Sequence, residues 1–125
     1  MATILVVDDE PTLRDLLAQF FTLRGYRVRV AQDGPEALAL VEQEQPQMVL
    51  LDMYMPGMNG LEVLRALRAK PYTGGVIALT ASQDATLLQE VLDLGVVDAL
   101  PKPVDLERLA LAIQVGILTA AHDPQ

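Results

Sequence analysis

The chain has 125 residues, enough for one domain with a real hydrophobic core, and carries a formal net charge of −8 with a pI near 4.4. Its nine Lys and Arg residues are scattered among seventeen Asp and Glu, which argues against a nucleic-acid surface, since that needs clustered cations. Cysteine is absent, so disulfides, thiolate catalysis and cysteine metal cages are excluded, and the composition fits a cytoplasmic location.

Strand-like residues follow Met1 almost at once, so the opening does not read as a signal peptide. Ile4-Leu5-Val6-Val7 predicts a buried strand over residues 3–7, ending in the adjacent acids Asp8-Asp9. Leu13, Leu16, Leu17 and Phe20 then recur at helical spacing until Gly25, a natural residue just past a helix end. Arg27-Val28-Arg29-Val30 alternates polar and apolar, the pattern of an exposed edge strand, with Arg24, Arg27 and Arg29 on its solvated side. Asp33-Gly34-Pro35-Glu36 has the spacing of a capping box and opens a helix that ends before Pro46.

The third strand, residues 48–52, is an apolar run that delivers one carboxylate, Asp52, at its carboxyl end. A turn rich in Pro and Gly follows, and Asn59 with Glu62 repeats the capping-box spacing to open a helix through about residue 69. Gly74-Gly75 precede a strand over residues 76–80, and a helix from about Asp84 stops at Gly95. Residues 97–100 form the last strand, and a helix capped by Asp105 runs to about Thr119. The tail 122–125, with His122, reads as frayed. The longest apolar stretch, residues 109–121, is broken by Gln114 and Gly116 and is too short for a bilayer.

Five βα units with apolar central strands predict an α/β fold with a doubly wound parallel five-stranded sheet. Placing the polar second strand at an edge favours the flavodoxin-like (βα)5 order 2-1-3-4-5, with its switch point between strands one and three. Those are the strands that end in Asp8-Asp9 and Asp52. Three carboxylates converging there cannot all ionise without a cation or a raised pKa, so the site calls for a hard divalent ion, and Asp52 becomes a candidate nucleophile. Met53, Met55 and Met58 read as packing residues, because such an ion prefers oxygen.

With these residues placed, the chain resembles the receiver domain of two-component response regulators over essentially its whole length. The resemblance rests on Val6-Val7-Asp8-Asp9-Glu10, on Asp52 with Met55-Pro56-Gly57-Met58-Asn59-Gly60, on Leu79-Thr80-Ala81 and on Pro101-Lys102-Pro103. It implies one receiver domain over residues 1–121, whose Asp52 accepts a phosphoryl group from a phosphohistidine on a sensor histidine kinase or histidine phosphotransfer protein. Mg²⁺, or Mn²⁺ in its place, would be held by Asp8, Asp9, Asp52 and the backbone carbonyl of Tyr54. Lys102, the Thr80 hydroxyl and backbone N–H groups near Ala81 would receive the phosphoryl oxygens. The resemblance implies a phosphoacceptor switch rather than an enzyme with its own substrate, acting without direct contact to nucleic acid or membrane.

Two positions depart from the family pattern. Ala99 stands where an aromatic ring commonly swings inward, and Val104 where a Phe is common, so a phosphorylation-independent interaction module is the alternative reading. Tyr54 and Ser82 flank the expected path of attacking water with one bulky and one small side chain. The final helix is apolar on two sides: Leu106, Leu109, Ala110, Ile113 and Ile117 form the stripe expected to face the sheet. Leu111, Val115 and Leu118, with Val104, form a second stripe expected to dock a downstream protein or a second copy of the chain.

Overall fold

A computed structural model of the chain describes residues 2–81 and 85–121. Strands and helices alternate as β1 (Thr3–Val7), α1 (Pro11–Leu23), β2 (Arg27–Ala31), α2 (Gly34–Gln43), β3 (Met48–Asp52), α3 (Gly60–Ala69), β4 (Gly75–Thr80), α4 (Ala85–Asp93), β5 (Asp98–Pro101) and α5 (Leu106–Ala121). The strands form one parallel sheet in the order β2-β1-β3-β4-β5, the predicted 2-1-3-4-5 arrangement.

Period-two geometry divides the continuous apolar strands between two cores. Leu5, Val7, Val49, Leu51, Val76 and Ala78 point to one face, where they meet Ala37 and Val41 of α2, Val63, Leu64 and Leu67 of α3, and Val91 of α4. The intervening residues Ile4, Val6, Met48, Leu50, Ile77 and Leu79 point to the other, against Leu17 and Phe21 of α1 and Leu109 and Ile113 of α5. The edge strand β2 is thinly covered, and its arginines turn toward α2. Arg27 pairs with Glu44 at 2.6 Å, and Arg29 donates to the Gln43 side chain at 3.5 Å.

The helix starts follow the side-chain chemistry. At α3 the capping box closes in both directions: Asn59 Oδ1 accepts from the Glu62 N–H at 3.0 Å, and Glu62 Oε1 accepts from the Asn59 N–H at 3.1 Å. At α2 only half of the expected box forms, with Asp33 accepting from the Glu36 N–H at 2.9 Å. Asp105 caps α5, accepting from the N–H groups of Glu107 and Arg108, both at 3.1 Å.

Some expectations shift, among them the start of β4, which lies one residue earlier than expected, at Gly75. Strand β5 begins and ends one residue later than expected; the Val97 N–H still bonds the Val76 carbonyl at 2.8 Å, and Pro101, aligned with Thr80, has no N–H with which to extend the ladder. Leu111, Val115 and Leu118 are 61%, 51% and 55% exposed, whereas Val104 is half-buried against the α1–α5 core and leaves the stripe assigned to it. It precedes the helix, so helical periodicity does not govern where it points. Helix α4 is described from Ala85; Asp84, its expected start, lies outside the described residues, as do Ser82 and the tail with His122. Among the described residues no helix is long and apolar enough to cross a membrane.

Candidate functional site

The site lies beyond the carboxyl ends of β1 and β3, where the chain order reverses. Val7 and Leu51 are register partners, so the residues that follow them, Asp8 and Asp52, emerge side by side. Asp9 joins them, and one carboxylate oxygen from each of the three lies within 4.8 Å of the others. Asp8 and Asp52 are almost fully buried, at 0% and 2% exposure, while Asp9 faces solvent. The backbone holds both buried acids: the Glu10 N–H donates to Asp8 Oδ1 at 2.9 Å, and the Tyr54 N–H donates to Asp52 Oδ1 at 3.0 Å.

Lys102 reaches the pair from β5. Its Nζ stands 3.2 Å from Asp8 Oδ2 and 3.3 Å from Asp52 Oδ1, and its own N–H donates to the Thr80 carbonyl at 2.9 Å. The peptide bond between Lys102 and Pro103 is cis. Thr80 ends β4 one residue past Leu79, the register partner of Asp52, and is buried; Ala81 follows it at the surface. Tyr54 is half-exposed beside the acids. Ala99 is partly buried, packed against the core that lies between the sheet and α2, α3 and α4. The sequence-predicted site residues Asp8, Asp9, Asp52 and Lys102 are thus brought into one cluster, with Thr80 tied to Lys102 through the backbone.

Burial pushes the Asp52 carboxyl up to about 6; the Tyr54 N–H opposes this, the Asp8 charge adds to it, and Lys102 draws it down. For Lys102, burial works against the charged form, but Asp52 and then Asp8 outweigh it and hold the pKa above the ordinary lysine value. One ammonium thus pairs with two of the three carboxylates, and a surplus of negative charge remains on a purely oxygen donor set. That surplus and those donors fit a hard divalent cation.

Two residues that shape the site were not singled out for it from the sequence. Arg14, in the first turns of α1, donates from Nη1 to the Asp8 carbonyl at 3.0 Å and braces the loop that carries the acids. Its only sequence signal is a cation within a turn or two of an acid pair. Gly60 stands where α3 meets the end of β3: a Cβ there would lie 2.5 Å from both the Asp52 carbonyl oxygen and Met53 Cα. The positive φ of Gly57, 81°, turns the intervening loop back toward that contact.

Residues 4–114 match the model of the response regulator receiver domain. Response regulator MprA of Mycobacterium sp. (strain KMS) is 43% identical over 120 residues, which is 96% of this chain and 52% of that protein. Sporulation initiation phosphotransferase F of Bacillus subtilis (strain 168) is 37% identical over 111 residues, 89% of this chain and 90% of that protein. The chain spans about half the length of most of the curated relatives it matches, including the probable C4-dicarboxylate response regulator DctR of Priestia megaterium, of which it covers 50%. Among solved structures, chemotaxis protein CheY4 of Vibrio cholerae superposes with a TM-score of 0.87 at 30% identity, covering 93% of this chain and 98% of that one.

Proposed function

The chain belongs to the response regulator receiver family of two-component systems, and from that premise we propose that Asp52 is its phosphoacceptor. The observation that carries the reading is the grouping of Asp8, Asp9 and Asp52 at the switch point of the sheet, with Lys102 paired to Asp8 and Asp52. In the reaction, an Asp52 carboxylate oxygen bonds to the phosphorus of a partner's phosphohistidine, the P–N bond breaks, and the imidazole leaves with the electron pair. Phosphoryl transfer asks the protein for in-line positioning and for neutralisation of charge.

Each residue has a part in this. The Tyr54 N–H fixes one Asp52 oxygen and leaves the other to attack. Lys102 already spans Asp8 and Asp52, and pairs with a phosphoryl oxygen once the product forms. Thr80 offers its hydroxyl, and the backbone near Ala81 its N–H groups. Asp8, Asp9, Asp52 and the Tyr54 carbonyl would hold Mg²⁺, which supplies neutralisation of the charge on the transferring group. The product adds about −1.5 to −2 charges to a site that is already acidic.

Sensor histidine kinases or histidine phosphotransfer proteins are the donors this reading requires, and the chain is a phosphoacceptor switch rather than a multiple-turnover enzyme. We take residues 1–121 as the receiver unit, working in the cytoplasm. Its output surface is the exposed stripe Leu111, Val115 and Leu118, read by a downstream protein or a second copy. The deciding experiment is intact mass after incubation with Mg²⁺ and a small phosphodonor. Wild type is expected to gain one phosphoryl mass and Asp52→Asn none; an undiminished gain in Asp52→Asn overturns the assignment.

A further inference from the structure

Helix α4 buries only one residue fully, Val91, and two arginines of α3 grip it from outside the core. Arg65 Nη2 lies 2.7 Å from Glu90 Oε2. One turn later, Arg68 donates from Nε to the Leu94 carbonyl at 2.8 Å and from Nη2 to the Gly95 carbonyl at 3.1 Å. The C-terminal turn of a helix leaves carbonyls without partners in the helix itself, and α4 has no basic residue of its own in its last turn. The Leu94 and Gly95 N–H groups close the last turn onto the Glu90, Val91 and Leu92 carbonyls, and Arg68 holds the two carbonyls that follow the helix, those of Leu94 and Gly95. The planar fork of Arg68 suits two adjacent carbonyls, where a lysine would serve as a point charge.

The gripped turn leads straight into β5. Val97 bonds Val76, Ala99 pairs with Ala78, and Lys102 then reaches the acids. At residue 99 a methyl group stands in place of a ring, so little side-chain volume there fixes the spacing between α4 and the sheet. We propose that Arg65 and Arg68 form a brace that holds α4 and its exit turn against the molecule. The strength of this brace sets how far the segment from α4 to β5 yields when charge is added at Asp52. The second half of this inference rests on the phosphoacceptor reading; the first does not.

Amide hydrogen exchange on the whole chain tests both halves. In Arg65→Met/Arg68→Met, which keeps the apolar stems, amides of residues 88–98 are expected to exchange about tenfold faster, with those of β1 and β3 unchanged. Glu90→Gln, which weakens only the ion pair, is expected to give a smaller acceleration in the same segment. With Mg²⁺ and beryllofluoride as the phosphoryl mimic, and occupancy followed by ¹⁹F NMR, the added response of residues 88–98 is expected to be at least twofold larger in the double variant. Unchanged exchange without the mimic overturns the brace. Accelerated exchange with an equal response at equal occupancy overturns its control of the switch. If wild type binds no beryllofluoride, the Asp52 reading and the proposed control fall together, and the exchange rates alone decide whether the brace holds α4.

Discussion

Asp52 is strained electrostatically before any phosphoryl group arrives. Its carboxyl sits at about 6 against an ordinary 3.8, because burial and the Asp8 charge disfavour ionisation. In the range between these values the native state binds more protons than the unfolded chain, so this group's contribution to stability falls as pH rises through it. Asp52→Asn removes that penalty. Chemical denaturation at pH 7.5 is expected to show the variant more stable by about 1–3 kcal/mol, with the gain fading toward pH 4. A different loss is expected at Gly60. Gly60→Ala forces a methyl into the Asp52 and Met53 backbone, and denaturation should register a cost of roughly 1–3 kcal/mol with weakened Mg²⁺ binding. The acids were legible in the sequence because they follow or end apolar strands, whereas Lys102 was legible only through the resemblance carried by Pro101-Lys102-Pro103. Arg14 was not, because a hydrogen bond to a backbone carbonyl leaves no pattern along the chain.

The elements themselves were read well wherever one local cause fixed them. Asn59 and Glu62 start α3 where their spacing says, and strands β1 and β3 have the expected bounds because their apolar runs are bordered by polar residues. Where a long-range partner decides, the reading slipped: β5 takes its bounds from its alignment with β4, and Val104 takes its burial from packing against the α1–α5 core. The two faces of α5 did separate as predicted, with Leu109 and Ile113 buried and Leu111, Val115 and Leu118 outside. Leu111→Glu with Val115→Lys should therefore leave thermal stability nearly unchanged while reducing self-association in sedimentation. A monomer at high concentration in wild type, with and without the phosphoryl mimic, removes the second copy as the partner and leaves a downstream protein. Another loop-to-loop tie lies at the opposite end of the sheet. The buried Tyr72 hydroxyl shares its one proton between the Pro46 carbonyl at 3.1 Å and the Gly75 carbonyl at 3.0 Å. Tyr72→Phe should cost about 1–3 kcal/mol, read by urea denaturation, without altering phosphorylation.

At the scale of the molecule, a surplus of acid is concentrated at one end of the sheet of a chain that already carries −8. A cation that binds only the native state stabilises it by mass action, by about 2.7 kcal/mol at a hundred times its Kd. Mg²⁺ is expected to raise the thermal midpoint of wild type, and to raise it far less in Asp9→Ala, as scanning calorimetry would show. The doubly wound order was legible because one strand alone among five is polar. The contacts between helices, such as those of Arg65 and Arg68 on α4, were not, since they depend on which helices the crossovers bring together.

The cluster also divides the sheet unequally. Asp8 follows β1 and Asp52 ends β3, whereas Thr80 ends β4 and Lys102, coupled to it through one backbone hydrogen bond, follows β5. Of these gripping groups, none comes from the β2 flank. On the phosphoacceptor reading, charge added at Asp52 would therefore pull on the end of β4 and on the turn after β5, and leave β2 without a direct tie to it. Substitutions along β2 are accordingly expected to leave the Lys102–Asp52 and Thr80–Lys102 ties intact.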